Sequence, residues 1–364
     1  MKGMEIAWRT LSQETVDEPC IVASWLMKGD YYGSAAGRDY WRDKERVFLE
    51  ALPRMGVNLC PQFAMPQDRM GNAAEIGVLD GDWSNRLGLS DPEEILPIID
   101  ALPSDAEIER DFDVAAFAQQ YASELKDHID ATDGETLFIN SFGQADFMGP
   151  YNEWGYTPYL MAIALYPEHV HRYFHYTATR AYWQNVAIVE AIERHGVAPF
   201  VYGGQDICAN DGPLCSVKTL DDIYFPELGR AIQPLIDHDI PIVWHCDGNI
   251  MPIVDRLIAI GISGLQGFQE EAGVPYEELV KVKSKWNKPL IIWGCVSVTT
   301  TLPFGSTEDV KQAVRRSFEL AGPGRGFCLA STSSIMPEVP DENIDTFYQF
   351  GKEFGRQYLR GETA

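Results

Sequence analysis

The stretch Pro241-Ile242-Val243-Trp244-His245-Cys246-Asp247-Gly248-Asn249 reads as a short buried strand that ends on a histidine and breaks into a turn. Ile, Val and Trp favour extended backbone, and Asp-Gly-Asn tolerates left-handed conformations. Upstream lie a strand-like run, Phe200–Gly203, and a helical pattern, Pro226–Asp237. Downstream, the helical pattern Ile250–Ile260 leads to another apolar run, Gly264–Gly267. The same alternation extends in both directions. Cys20–Trp25, Val57–Phe63, Leu137–Asn140, Leu290–Gly294 and Gly326–Ala330 read as strands. Phe112–Ile129, Pro167–Arg194, Tyr276–Trp286 and Thr307–Ala321 read as helices, the last capped by Ser306 and opened by acids. Strand and helix alternating about eight times predict parallel strands covered by helices. No GxGxxG follows the first strand and no GxxxxGK[ST] occurs, while Gly322–Gly326 precedes a strand and reads as a turn. The expected fold is α/β, a (β/α)8 TIM barrel with an extended N-terminal region, and residues 1–364 are expected to form one domain. The stretch from Ala64 to Asp111 is too long for a simple connection and predicts short helices.

Composition narrows the partners. The 364 residues carry a net charge of −25, which repels nucleic-acid phosphates and anionic lipid heads. The seven cysteines are scattered and contain no CxxC pair, which speaks against a disulfide framework and a zinc knuckle. The longest apolar runs, such as Ile291-Ile292-Trp293, are too short to span a bilayer, and Met1–Ile6 lacks an apolar signal core. A cytoplasmic protein that binds neither nucleic acid nor membrane is expected.

In a barrel the active site forms where the strands end, so the polar residues after each apolar run are the candidates. His245 suits a general acid or base or a metal ligand, and Asp247 either fixes its tautomer or serves as a second ligand. Gly203-Gly204-Gln205 delivers Asp206 to the same rim, as a base or a carboxylate that orients a cation. Tyr202, Gln266 and Gln269 are candidates for binding substrate. Cys295 offers a thiol, and Ser331 and Ser333 offer hydroxyls for an anionic group. An aromatic-rich cavity beside His245 is expected from Tyr202, Trp244 and the segment Phe142–Tyr156. His171 and His175 have zinc-binding spacing but no HExxH, so they are read as an exposed helix face. No GxSxG elbow is present.

At these strand ends the chain resembles the uroporphyrinogen decarboxylase superfamily. The resemblance starts near Val16-Asp17-Glu18-Pro19 and continues through Tyr166-Pro167-Glu168-His169-Val170. It includes Asp206 to Pro213-Leu214-Cys215-Ser216, the His245-Cys246-Asp247-Gly248-Asn249 motif, Thr307-Glu308-Asp309-Val310 and Pro340-Asp341-Glu342-Asn343-Ile344. It implies a (β/α)8 barrel, often a homodimer, that acts either as a decarboxylase or as a corrinoid-dependent methyltransferase.

Departures from the family separate those two branches. The decarboxylase's Arg-Gln-Ala-Gly-Arg and Phe-Ser-Asp motifs are missing, and Ala330-Ser331-Thr332-Ser333-Ser334 stands where Gly-His-Gly is expected. The thiol-methylating branch holds zinc with a His and two Cys, and here those thiolate positions read Asp247 and Ser333. A harder ion, zinc included, on His245 and Asp247 remains compatible. The pattern resembles the O-demethylating branch, which passes methyl groups from small methylated donors such as methoxylated aromatics to the cobalamin-type corrinoid of a separate protein. The alternative is a decarboxylase or lyase acting on a cyclic carboxylic acid, and a barrel that only binds is a third.

Overall fold

The computed structural model of the chain describes residues 1–70 and 85–362. They form two compact units, one built from residues 1–70, 124–141 and 263–362, the other from 85–123 and 142–262. The part of Ala64–Asp111 that precedes Asn85 falls partly outside the described residues. Beyond it, the expected short helices are present as Pro92–Ile95, Leu96–Asp100 and Asp105–Asp111.

In the first unit six strands run parallel: β1 (Cys20–Ile21), β2 (Leu59–Pro61), β3 (Leu137–Ile139), β8 (Gly264–Gln266), β9 (Ile291–Val296) and β10 (Phe327–Ser331). β3 pairs with β2, a Val22–Leu59 bridge joins β2 to β1, and the ladder continues β1-β10-β9-β8. Every residue of β1, β2, β3, β8, β9 and β10 is buried, as expected of parallel strands covered by helices. Asn58, just ahead of β2, accepts the Ile21 N–H at 2.7 Å and donates to the Pro19 carbonyl at 2.9 Å, which fixes where β1 begins.

In the second unit β4 (Val201–Gly204) pairs in parallel with β7 (Ile242–His245), Gly204 opposite His245. A small antiparallel hairpin, β5 (Cys208–Ala209) and β6 (Gly212–Pro213), follows β4. The long helix Pro167–His195 and the helix Phe225–Asp237 belong to this unit. Asn185 of the long helix is fully buried and donates to the carbonyls of Gly143 and Ala231.

The architecture is the α/β, TIM-barrel-like one expected from the strand–helix alternation. The helix Thr307–Ala321 has the expected bounds, with Ser306 capping it. The expected helix Tyr276–Trp286 is shorter, Tyr276–Leu279. Beyond it Lys283 bridges to Pro289, and Ser284 accepts the Lys288 N–H, so turn chemistry overrides the apolar spacing. Among the described residues no helix is long and apolar enough to cross a membrane.

Candidate active site

Two parallel strands deliver the polar groups. β7 is buried through Trp244, and its last residue, His245, turns its side chain to a partly accessible position, 19% exposed. Gly204 must be glycine, because a Cβ there would lie 1.9 Å from the His245 carbonyl oxygen. That close approach allows β4 to run on beside β7 and place Asp206 at the same end. Gly248 has φ +80°, and a Cβ would meet the Ala209 carbonyl at 2.6 Å. The chain after His245 therefore folds against the β5 strand, with the Asn249 N–H donating to the Ala209 carbonyl at 2.9 Å.

These constraints converge on three side chains. His245 Nε2 lies 3.6 Å from Asp206 Oδ1 and 3.8 Å from Asp247 Oδ1. The two carboxylates are about one-third exposed. One potential ligand atom from each of Asp206, His245 and Asp247 lies within 4.8 Å of the others. The donors are nitrogen and oxygen only, which suits a hard or borderline divalent ion such as zinc, with three protein ligands leaving one position open. His245 and Asp247 were the ligands read from the sequence; the geometry adds Asp206.

Neighbouring hydrogen bonds position the Asp206 backbone. The Gln205 side-chain oxygen, nearly buried, accepts the Phe147 and Met148 N–H groups, both at 2.8 Å. The Asp206 N–H donates to Met148 Sδ at 3.1 Å, and the Tyr151 hydroxyl donates to the Asp206 carbonyl at 3.1 Å. Neither Gln205 nor Met148 was singled out from sequence, and Tyr151 was noted only within the Phe142–Tyr156 segment. Cys246 is buried, which together with the neighbouring Cys208 thiol holds its own thiol well above the ordinary value.

A cavity of about 850 Å³ lies beside the triad within this unit, with Asp206 and Asp247 in its wall. Met148, Tyr151 and Tyr156 also line it. The segment Phe142–Tyr156 thus supplies wall residues as expected, but Phe142, Phe147 and Trp154 are buried as packing. Tyr202 and Trp244 are likewise buried in the strands, at 2% and 0% exposure. Tyr202 is close enough for Asp206 and Asp247 to act on its hydroxyl: burial first, then those two carboxylates, raise its pKa.

The remaining candidates belong to the other unit. Gln266 is fully buried, and its amide donates to the Ser331 and Thr332 carbonyls. Ser331 is buried, with its hydroxyl donating to the Ser333 carbonyl at 2.5 Å. Cys295 is buried, and burial pushes its thiol well above the ordinary value. Gln269 closes the turn before Glu270–Ala272, its carbonyl accepting the Ala272 N–H at 2.9 Å. A second cavity of about 480 Å³ in that unit lies among Pro19, Asn58 and Glu135, residues that precede β1, β2 and β3. Two of its cations, Arg356 and Arg360, are already paired with Glu18. A site before the strands reads as structural support, so the cavity beside the triad is the functional candidate.

His171 and His175 are not a bare helix face. Both ring systems lie 3.1 Å from Glu227 Oε1, and His175 also reaches Asp105 at 3.0 Å.

Residues 206–354 match the uroporphyrinogen decarboxylase (URO-D) family model. No curated protein matches the chain. Among solved structures, the chain is similar to a methyltransferase from Methanosarcina mazei, with TM-score 0.64 and 14% identity. That similarity covers 97% of this chain and 99% of the other. At this identity it shows the fold, and the family match includes all three triad residues. The chain is thus similar to the uroporphyrinogen decarboxylase family over residues 206–354 and shares its overall fold with that methyltransferase structure.

Proposed function

We propose that the protein moves a methyl group from a small methylated donor, such as a methoxylated aromatic, to the Co(I) corrinoid of a partner protein. Asp206, His245 and Asp247 are the reacting centre, and residues 1–364 act as one uroporphyrinogen decarboxylase-like domain. The observation that carries this reading is the placement of His245 Nε2 within 4 Å of two carboxylates at the edge of a wide cavity. The chain's similarity over nearly its whole length to a methyltransferase supports it.

In such a transfer the cobalt's electron pair forms the new bond to the methyl carbon. The carbon–oxygen bond breaks, and its pair goes to the departing oxygen. An alkoxide or phenolate leaves slowly unless it gains a proton or a cation as it departs. His245 supplies that proton from Nε2, while Asp206 and Asp247 stabilise the charged imidazole. A divalent ion held by these three residues would instead supply positive charge to the oxygen as a Lewis acid. The attacking electrons come from the partner, so the chain needs no nucleophile. The buried, protonated Cys246 is consistent with that.

The alternative, decarboxylation of a cyclic carboxylic acid, draws its support from the family match. A screen of methylated donors with a reduced corrinoid protein, followed by absorbance, tests the two readings. Methylcorrinoid formation supports transfer; release of carbon dioxide from a tetrapyrrole acid without it supports decarboxylation.

A further inference from the structure

The turn between the helix Tyr276–Leu279 and β9 carries a charge opposite to that of the chain as a whole. Lys281-Val282-Lys283-Ser284-Lys285-Trp286-Asn287-Lys288 holds four of the 29 Lys and Arg and none of the 54 Asp and Glu. Its backbone is tightly bonded. The Ser284 N–H donates to the Lys288 carbonyl at 2.9 Å and the Asn287 N–H to the Ser284 carbonyl at 2.8 Å, with Asn287 at φ +61°. The Ser284 hydroxyl donates to the Lys288 carbonyl at 3.2 Å, and Gln13 Nε2 anchors the end of the turn through the Pro289 carbonyl at 2.7 Å. All four lysines and Trp286 are exposed, the tryptophan at 44%. Lys285 Nζ stands 4.7 Å from the Trp286 ring centroid, which sets a large aromatic surface among the cations. None of the four lysines is paired with a carboxylate of the described residues.

We propose that this turn is a docking surface for a short acidic segment of another protein. Carboxylates of such a segment meet the lysine ammonium groups, and an apolar side chain covers the exposed indole. Little ordering is needed on this side, because the bonds within the turn already hold the backbone that carries the cations. Charge decides which anion fits. At physiological salt, exposed charges act over about 8 Å. A nucleic-acid strand or a lipid surface extends well beyond eight residues and meets the remaining chain, in which acids predominate. A segment of a few residues stays on the turn. The turn precedes β9, whereas barrel chemistry sits where strands end, so this contact is not the one that delivers a reactant. It is independent of the proposed methyl transfer.

Fluorescence anisotropy of a labelled peptide, titrated with the intact protein, provides the test. The peptide is a short run of Glu and Asp around one Leu, and its control carries Gln for each Glu and Asn for each Asp. In about 0.1 M salt, where only charges within ~10 Å act strongly, the acidic peptide should bind saturably and at least about tenfold more tightly than the control. Lys283→Glu combined with Lys285→Glu should weaken that binding at least about tenfold, and Trp286→Ala at least about threefold. All three positions are exposed, so these variants should keep the parent's Tm. Lys126→Glu, at an exposed position of the helix Val114–Ala131, should leave binding unchanged. No saturable binding at millimolar peptide overturns the proposal, as does an equal loss in Lys126→Glu or no loss in the double variant. Tighter binding of a single-stranded oligonucleotide or of phosphatidylserine vesicles assigns the turn to another class of partner and overturns it. Self-association of the protein that the double variant abolishes assigns the turn to a second copy, and overturns it likewise.

Discussion

The Asp247 backbone N–H donates to Asp206 Oδ1 at 2.8 Å, so the turn after β7 grips the carboxylate that follows β4. One short contact therefore ties the Asp206 carboxylate to the turn that carries Asp247 beside His245. It also means that Asp206 cannot drift into solvent without breaking a hydrogen bond to a charged group, a contact stronger than most.

Metal retention should follow the triad. Zinc bound to the purified protein should fall at least about tenfold in affinity in Asp206→Ala and in Asp247→Ala, measured by competition with a chromogenic chelator. X-ray absorption should find nitrogen and oxygen neighbours, without the sulfur shell near 2.3 Å that thiolate ligation gives. Zinc on Cys295 and Cys328, with His245 unliganded, would overturn this assignment.

Gly248→Ala should be costly although it adds one carbon. The φ of +80° disfavours any side chain, and the new Cβ would sit 2.6 Å from the Ala209 carbonyl. A loss of about 1–3 kcal/mol is expected, read by denaturant unfolding. The same variant should lose activity, because the displaced turn carries Asp247. Unchanged stability would show that the turn is looser than its geometry implies.

The network on the long helix predicts a pH dependence of stability. Burial opposes charge on His175, but bonds to Asp105 and Glu227 outweigh it and raise its pKa above 6.5. Burial also opposes charge on Glu227, and Arg230 and His175 outweigh it and lower its pKa below 4.5. The elements packed there also bring His171 and Thr179, and Asp105 is lowered by His175 and Thr179 against its own burial. A raised histidine stabilises fully below its unfolded value and loses that contribution as pH rises through the folded value; a lowered carboxylate loses its own as pH falls through its folded value. The contribution is therefore largest between about pH 4.5 and 6.5. Scanning calorimetry should show a fall in Tm of about 1–2 °C from pH 6 to 8 that is absent in His175→Asn. Solvent exposure of these side chains keeps the effect small. An identical pH profile in the variant would remove His175 from the account.

Much of this was legible because β-branched runs bounded by Gly and Pro are strong signals. Ile242–His245 was placed to the residue, and Leu137 and Gly264 mark the first residues of their strands. His245, Asp206 and Asp247 followed from the rule that barrel chemistry sits where strands end. The β5–β6 hairpin was missed, although Asn210-Asp211-Gly212 is a turn signal, because its strands are two residues each. Within Phe142–Tyr156, composition could not separate the wall residues Tyr151 and Tyr156 from the packed Phe147 and Trp154. That division depends on how the short helix Gly149–Glu153 and the turns on either side of it place each ring. Nor could spacing reveal that His171 and His175 meet Glu227, a residue more than 50 positions away.

The most direct test of the central claim is single-turnover methyl transfer to a reduced corrinoid protein, comparing the parent chain with His245→Ala. His245 is a partly exposed strand-end group beside two carboxylates of the cavity wall, so the variant should keep the parent's circular dichroism spectrum and Tm. It should form methylcorrinoid at least about a hundredfold more slowly, the loss expected when a general acid is removed. Methylcorrinoid formation within about threefold of the parent rate would contradict the claim, since that margin is far below what general acid catalysis contributes.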